Sequence, residues 1–171
     1  MKTRRMIGVL AAAMLAVTPV PVYAAGTAAA QTAQQSTAFG FTYNGNRYEV
    51  GMDAEAAYKT LGQPTGSRDV NNCARGAIRK AYSYGNQDVE VFADLNAAET
   101  KDVIKTITLM SDKVATEEGL KVGDTEEQIL AVYPNAVKGI GGYNVTKGNT
   151  ELYISINKLR KKIAYITYQE K

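Results

Sequence analysis

Apolar residues recur along the chain in two rhythms, and the change from one to the other predicts its elements. Val89, Val91, Ala93 and Leu95 alternate with Glu90, Phe92 and Asp94, and Leu152, Ile154 and Ile156 alternate with Tyr153 and Ser155. Successive side chains on a strand point to opposite faces, so each run predicts an antiparallel strand with one apolar and one mixed face. Further strands are predicted over residues 39–43 and 47–50, flanking the hairpin signal Asn44-Gly45-Asn46, and over 78–84, 104–110, 143–146 and 163–168. Helical spacing occurs twice. Ala57 and Leu61 share a face of a helix that starts at Met52 or Asp53 and ends at Gly62 and Pro64; Ile129, Val132 and Tyr133 form the stripe of another, ended by Pro134. Asp124, with Glu127 three residues on, predicts a capping box for the second helix. Residues 65–76 read as a polar loop and 139–142 as a glycine-rich one.

The helices sit in related stretches, residues 48–61 (YEVGMDAEAAYKTL) and 120–133 (LKVGDTEEQILAVY). Scattered identities follow, Gly85-Asn86 against Gly148-Asn149 and Ile107-Thr108 against Ile166-Thr167. The shared features are a glycine turn, an acidic helix start and an apolar face. Met52 stands opposite Asp124 and Lys59 opposite Ala131, so the echo carries no common reactive group and reads as a folding device. The expected fold is α+β: two tandem units over 39–111 and 112–171, each a short helix followed by a long loop and a three-stranded antiparallel sheet.

The start of the chain changes how its charge is read. Lys2, Arg4 and Arg5 precede an apolar run over residues 6–17, then Pro19, Pro21 and Val22-Tyr23-Ala24. This is the pattern of a secretory signal peptide over 1–24, cleaved near Ala24, and it predicts a secreted or extracytoplasmic protein. The run is shorter than the roughly 20 residues a membrane-spanning helix needs, so no transmembrane helix is expected in the mature chain. Residues 25–38, rich in Ala, Gln and Thr, read as a flexible leader. The net charge of +3 resides in Lys2, Arg4 and Arg5; beyond them basic and acidic residues balance. No nucleic-acid partner is therefore expected. The chain has no histidine and one cysteine, Cys73, which excludes Ser-His-Asp and Cys-His catalysis and the usual zinc cages. No cofactor and no metal site is expected, and stability must come from an ordinary apolar core rather than a disulfide framework.

Residues 50–64 (VGMDAEAAYKTLGQP) and 122–136 (VGDTEEQILAVYPNA) carry a resemblance. Tandem units opened by such segments resemble the secreted beta-lactamase inhibitor protein family, and a single unit resembles the small outer-membrane-assembly lipoprotein (SmpA/OmlA) family. The resemblance implies binding of another protein through an exposed sheet face or loops, without catalysis. Inhibitors of that family carry a disulfide in each repeat, which one cysteine cannot form, and no inhibitory loop residue matches a position here.

Candidate sites follow from what alternation turns away from the core. Ten of the eleven tyrosines lie beyond residue 24, and tyrosine suits interfaces because it gives large contact area and a hydroxyl at low entropic cost. Phe92, Tyr153 and Tyr165 fall opposite the apolar positions and form the candidate protein-binding face, for a partner whose identity the sequence does not name. The competing reading is that these rings cover a sheet edge or complete the core. Cys73 reads as a buried loop anchor, an intermolecular disulfide partner or a reactive thiol. Residues 157–162 (NKLRKK) form a basic run, read either as a solvated hairpin tip or as a contact for anionic wall polymer or lipid headgroups. Ser155 and Lys158 match the S-x-x-K spacing of serine acyl enzymes but fall on a strand rather than a helix start. Asp69 and Asn71 begin like a calcium loop without its glycine, and Asn144-Val145-Thr146 is a glycosylation sequon only in a eukaryotic setting. The leading expectation is an exported, non-enzymatic binding or inhibitory module. The alternatives are a cell-envelope or wall-associated component, and an enzyme working without histidine.

Overall fold

The alternating runs do form strands, but they assemble differently from the expected tandem units. The computed structural model describes residues 37–72 and 77–171; the expected signal peptide over 1–24, most of the leader over 25–38, and Cys73 lie outside the described residues. Ten strands and two helices follow in the order β1 (Gly40–Tyr43), β2 (Asn46–Glu49), α1 (Ala54–Leu61), β3 (Gly66–Asn72), β4 (Ala77–Tyr84), β5 (Val89–Leu95), β6 (Asp102–Leu109), α2 (Glu126–Val132), β7 (Val137–Gly139), β8 (Gly142–Lys147), β9 (Thr150–Asn157) and β10 (Lys162–Glu170). Strands β1 and β2 make a hairpin, and the other eight form one antiparallel sheet in the order β3-β4-β5-β6-β10-β9-β8-β7.

The α+β expectation of two helix-plus-three-strand units is thereby overturned. The described residues are mostly β, and β6 pairs with β10 so that β3–β6 and β7–β10 share one sheet. The expected loop over 65–76 contains β3, and the glycine-rich region begins with β7. Both are edge strands. An edge strand has only one neighbour and here carries little apolar burial, so it lacks the alternation by which interior strands are recognised.

One face of the sheet is the core. Val89, Val91, Ile107, Leu109, Leu152, Ile154, Ile166 and Tyr168 project from it into a single buried cluster. The covering layer consists of the β1–β2 hairpin, whose Phe41 stacks on Tyr168 with ring centroids 5.9 Å apart, and the two helices. Helix α1 buries Ala54, Ala57 and Leu61, the three- and four-residue spacing of one helical face. Asp53 caps it by accepting the Ala56 N–H at 3.0 Å. Helix α2 buries Ile129, and its capping box is Thr125 with Gln128, one residue later than Asp124 with Glu127. Asp124 instead accepts the Lys121 N–H at 2.9 Å and fixes the turn before the cap.

The two glycine turns do related work. Gly51 N–H donates to the Ile104 carbonyl, and Ile104 N–H to the Met52 carbonyl. Gly123 N–H donates to the Ile163 carbonyl, and Ile163 N–H to the Asp124 carbonyl. Each turn thus pairs with the outer end of a central strand, β6 or β10, whose inner end pairs with the other central strand. Where the partner changes, each strand holds one extra residue: Lys105 in β6 and Ala164 in β10. Such bulges bend a strand and increase its twist, as a change of partner requires.

Candidate functional site

The opposite face of the sheet has no covering element among the described residues. Its middle is polar: Thr106 and Thr108 of β6 lie beside Gln169 and Thr167 of β10, with the Thr108 and Thr167 hydroxyls 3.2 Å apart. Gln169 donates to Glu151 of β9 at 3.0 Å. These residues are half-buried.

The three aromatic candidates all project from this face, but not as one patch. Tyr153 and Tyr165 are neighbours across β9 and β10, their ring centroids 6.2 Å apart and tilted by 56°. Tyr165 is 39% exposed. Ala164 settles its orientation, because the extra residue lets Ile163 and Ile166 both enter the core while Tyr165 turns outward. Phe92 lies on β5, with β6 and β10 between it and Tyr153. At about 4.8 Å per strand step, that is a separation of about 14 Å. Phe92 shares a shallow cleft of about 220 Å³ with Arg68, Val70, Glu90 and the threonines. Arg68 grips Glu90 there by two contacts, Nε to Oε2 at 2.7 Å and Nη2 to Oε1 at 2.6 Å. The sheet face therefore carries an aromatic pair on one flank and a mixed aromatic and ionic cleft on the other.

Beyond the tyrosine pair the β7–β8 and β9–β10 turns meet at one end of the sheet. The Tyr153 hydroxyl donates to the Ile140 carbonyl at 3.2 Å, and Ile156 N–H donates to the Gly141 carbonyl at 2.8 Å. The basic run forms the β9–β10 turn. Asn157 Oδ1 accepts the N–H groups of Leu159 and Arg160, each at 3.0 Å, and the Asn157 carbonyl accepts that of Lys161 at 2.8 Å. A cleft of about 400 Å³ runs between the turns, lined by Ile140, Tyr143, Ile156, Lys158 and Lys161, with Glu126 and Lys138 at its side. The Lys138 ammonium, 2.9 Å from Glu126, and the Tyr143 hydroxyl, 3.0 Å from the same oxygen, hold the Glu126 carboxyl below the usual carboxylate range. The sequence showed the basic run but gave no sign that Ile140 and Lys138 would stand beside it, because β7 was not recognised.

The remaining candidates acquire ordinary structural roles. Ser155 is buried in the middle of β9, and Asp69 forms an ion pair with Lys80 at 3.0 Å. Asn144 is half-buried and Thr146 exposed on β8. Among the described residues no three His, Cys, Asp or Glu side chains converge as metal ligands. No helix among them is long and apolar enough to cross a membrane.

No protein-family model matches the chain, and no curated protein matches it. Among solved structures it is similar to a cysteine-rich secretory protein from Staphylococcus aureus subsp. aureus Mu50, with a TM-score of 0.43 and 13% identity. The similarity covers 71% of this chain and 43% of that protein, so the chain spans less than half of its length.

Proposed function

We propose that this is an exported, non-enzymatic module that binds another protein through the uncovered face of its eight-stranded sheet. The observation that carries the reading is the Tyr153 and Tyr165 pair, set on a rigid sheet face with Tyr165 exposed and Tyr153 flanked across its strand by Thr167 and Asn144. Rings held by flanking strands lose little freedom on binding, and partly exposed tyrosines next to small polar groups are the composition that interface centres favour. The motif resemblance to secreted inhibitors supports a protein partner over a small substrate. The export pattern at the start of the chain supports a partner outside the cytoplasm.

The test pairs capture with substitution. The protein, immobilised and exposed to culture medium, should retain a stoichiometric partner, and the Tyr153→Ser, Tyr165→Ser variant should lose it while keeping the parent circular dichroism spectrum. Phe92→Ser, made separately, reports whether the distant cleft belongs to the same interface. Loss of fold in the tyrosine variant would assign the rings to the core. Turnover of any compound in a broad substrate panel would sink the non-enzymatic reading.

A further inference from the structure

We infer that the end of the sheet formed by the β7–β8 and β9–β10 turns docks on an anionic phospholipid surface, independently of the tyrosine face. The apolar side chains there are the first reason. Ile140 is 98% exposed and Leu159 95% exposed, one at each turn. A side chain left wholly in water contributes nothing to folding through burial, so neither residue is explained by the core. Nor are the turns shapeless, because the Tyr153, Ile156 and Asn157 hydrogen bonds hold both backbones while the two side chains point away.

Charge is the second reason. Lys158, Arg160, Lys161 and Lys162 surround Leu159, and Lys138 lies across the cleft from Lys161. Against these five cations stand Glu126, already held by Lys138 and Tyr143, and Glu127. Among the described residues Lys158, Arg160 and Lys162 have no carboxylate within ion-pair distance. Beyond residue 24 the chain is balanced in charge, so this end is a local positive field, offset by an acidic excess elsewhere on the protein.

The combination selects the occupant. A soluble polyanion would satisfy the cations but gain nothing from Ile140 and Leu159. An apolar groove on a protein would accept those two side chains and leave the cations unmatched. A layer of anionic headgroups over hydrocarbon takes both at once, with the apolar tips entering the interface and the lysines and arginine remaining at headgroup level. The protein would lie on such a surface, not span it.

The test is co-sedimentation of the full chain with phosphatidylcholine vesicles containing or lacking phosphatidylglycerol. All variants share residues 1–24, so comparison among them cancels any contribution of that segment. Binding should require phosphatidylglycerol and weaken with salt. Lys158→Gln, Arg160→Gln, Lys161→Gln should lower affinity by about a hundredfold, at about fivefold per cation. Ile140→Ser, Leu159→Ser should lower it by a similar factor, and both sets should keep the parent circular dichroism spectrum because the altered side chains are exposed. The chain has no tryptophan, so Leu159→Trp supplies a single reporter whose emission should shift to the blue on anionic vesicles. The inference is overturned by binding that ignores phosphatidylglycerol, by an apolar variant that binds as the parent does, or by a tryptophan that stays in water. It is equally overturned if soluble poly(glycerol phosphate) binds as tightly as the vesicles.

Discussion

Replacing Tyr168 with phenylalanine should stabilise this protein. Tyr168 projects from β10 into the core, is 1% exposed and stacks on Phe41. Its hydroxyl is the one buried side-chain oxygen or nitrogen without a hydrogen-bond partner among the described residues. An unsatisfied buried polar group costs about 1–3 kcal/mol, which phenylalanine recovers while keeping the ring. Against this stands the void left by one oxygen, about 0.3 kcal/mol at the usual cost of cavity volume. The net gain should be about 1–2 kcal/mol, or a rise in Tm of about 4–7 °C for a folded body of this size. Urea denaturation followed by circular dichroism should show a higher midpoint at unchanged slope. Tyr133 provides the contrast: its hydroxyl donates to Glu118 Oε2 at 2.6 Å and lies 3.1 Å from Thr116 Oγ1, so Tyr133→Phe should cost about 1–2 kcal/mol. If Tyr168→Phe destabilises as Tyr133→Phe does, the hydroxyl has a partner and the reasoning fails.

Alkali should unfold the protein before its exposed groups alone would account for it. Burial, its first cause, pushes Tyr58 up to about 12, and burial likewise raises Tyr84, Tyr133 and Tyr168. Unfolded tyrosine ionises near pH ~10, so this stabilisation is complete below that pH and is lost as the pH rises toward the folded values. A urea midpoint unchanged between pH ~9 and ~12 would contradict it. Gly142→Ala should cost about 3 kcal/mol, because its Cβ would lie 2.0 Å from the Ile154 carbonyl oxygen, a backbone atom that cannot swing aside. Gly139→Ala, which meets only the Asn144 side chain at 3.4 Å, is the mild control by the same denaturation assay. Thr125→Ala should cost about 1 kcal/mol by removing the α2 cap, and a larger loss from Asp124→Ala would restore the cap to the earlier residue.

What the sequence disclosed depended on burial. Interior strands such as β5 and β9 see core on one side only, so Val89, Val91, Leu152 and Ile154 announce them by alternation. Strands β3 and β7, one polar and the other three residues long, leave no such trace, and without them each expected sheet has three strands instead of four; the division into two units came from the unseen pairing of β6 with β10. The β6–β10 pairing joins residues 57 to 63 apart in sequence and depends on backbone groups that every residue carries. Facing directions were legible for Phe92, Tyr153 and Tyr165, because alternation is local. Their separation was not, since distance across a sheet follows strand order. The cap of α2 moved by one residue because Asp124 and Thr125 are both competent acceptors, and the turn made by Gly123 decides which of them faces the helix.

The two bulges make mid-strand length negotiable at two places. Removing one residue from a strand ordinarily exchanges its faces from that point onward, exposing the core row and burying the polar one. Ala164 and Lys105 are surplus to the alternation around them: without Ala164 the order Ile163, Tyr165, Ile166, Thr167, Tyr168 would still read in, out, in, out, in. The same holds without Lys105 for Ile104, Thr106 and Ile107. Deleting either would leave the core's membership intact and straighten the strand, drawing its outer end away from the glycine turn. Each surplus residue therefore acts as a joint, setting the angle at which the covering layer hangs from the sheet without deciding what the core contains.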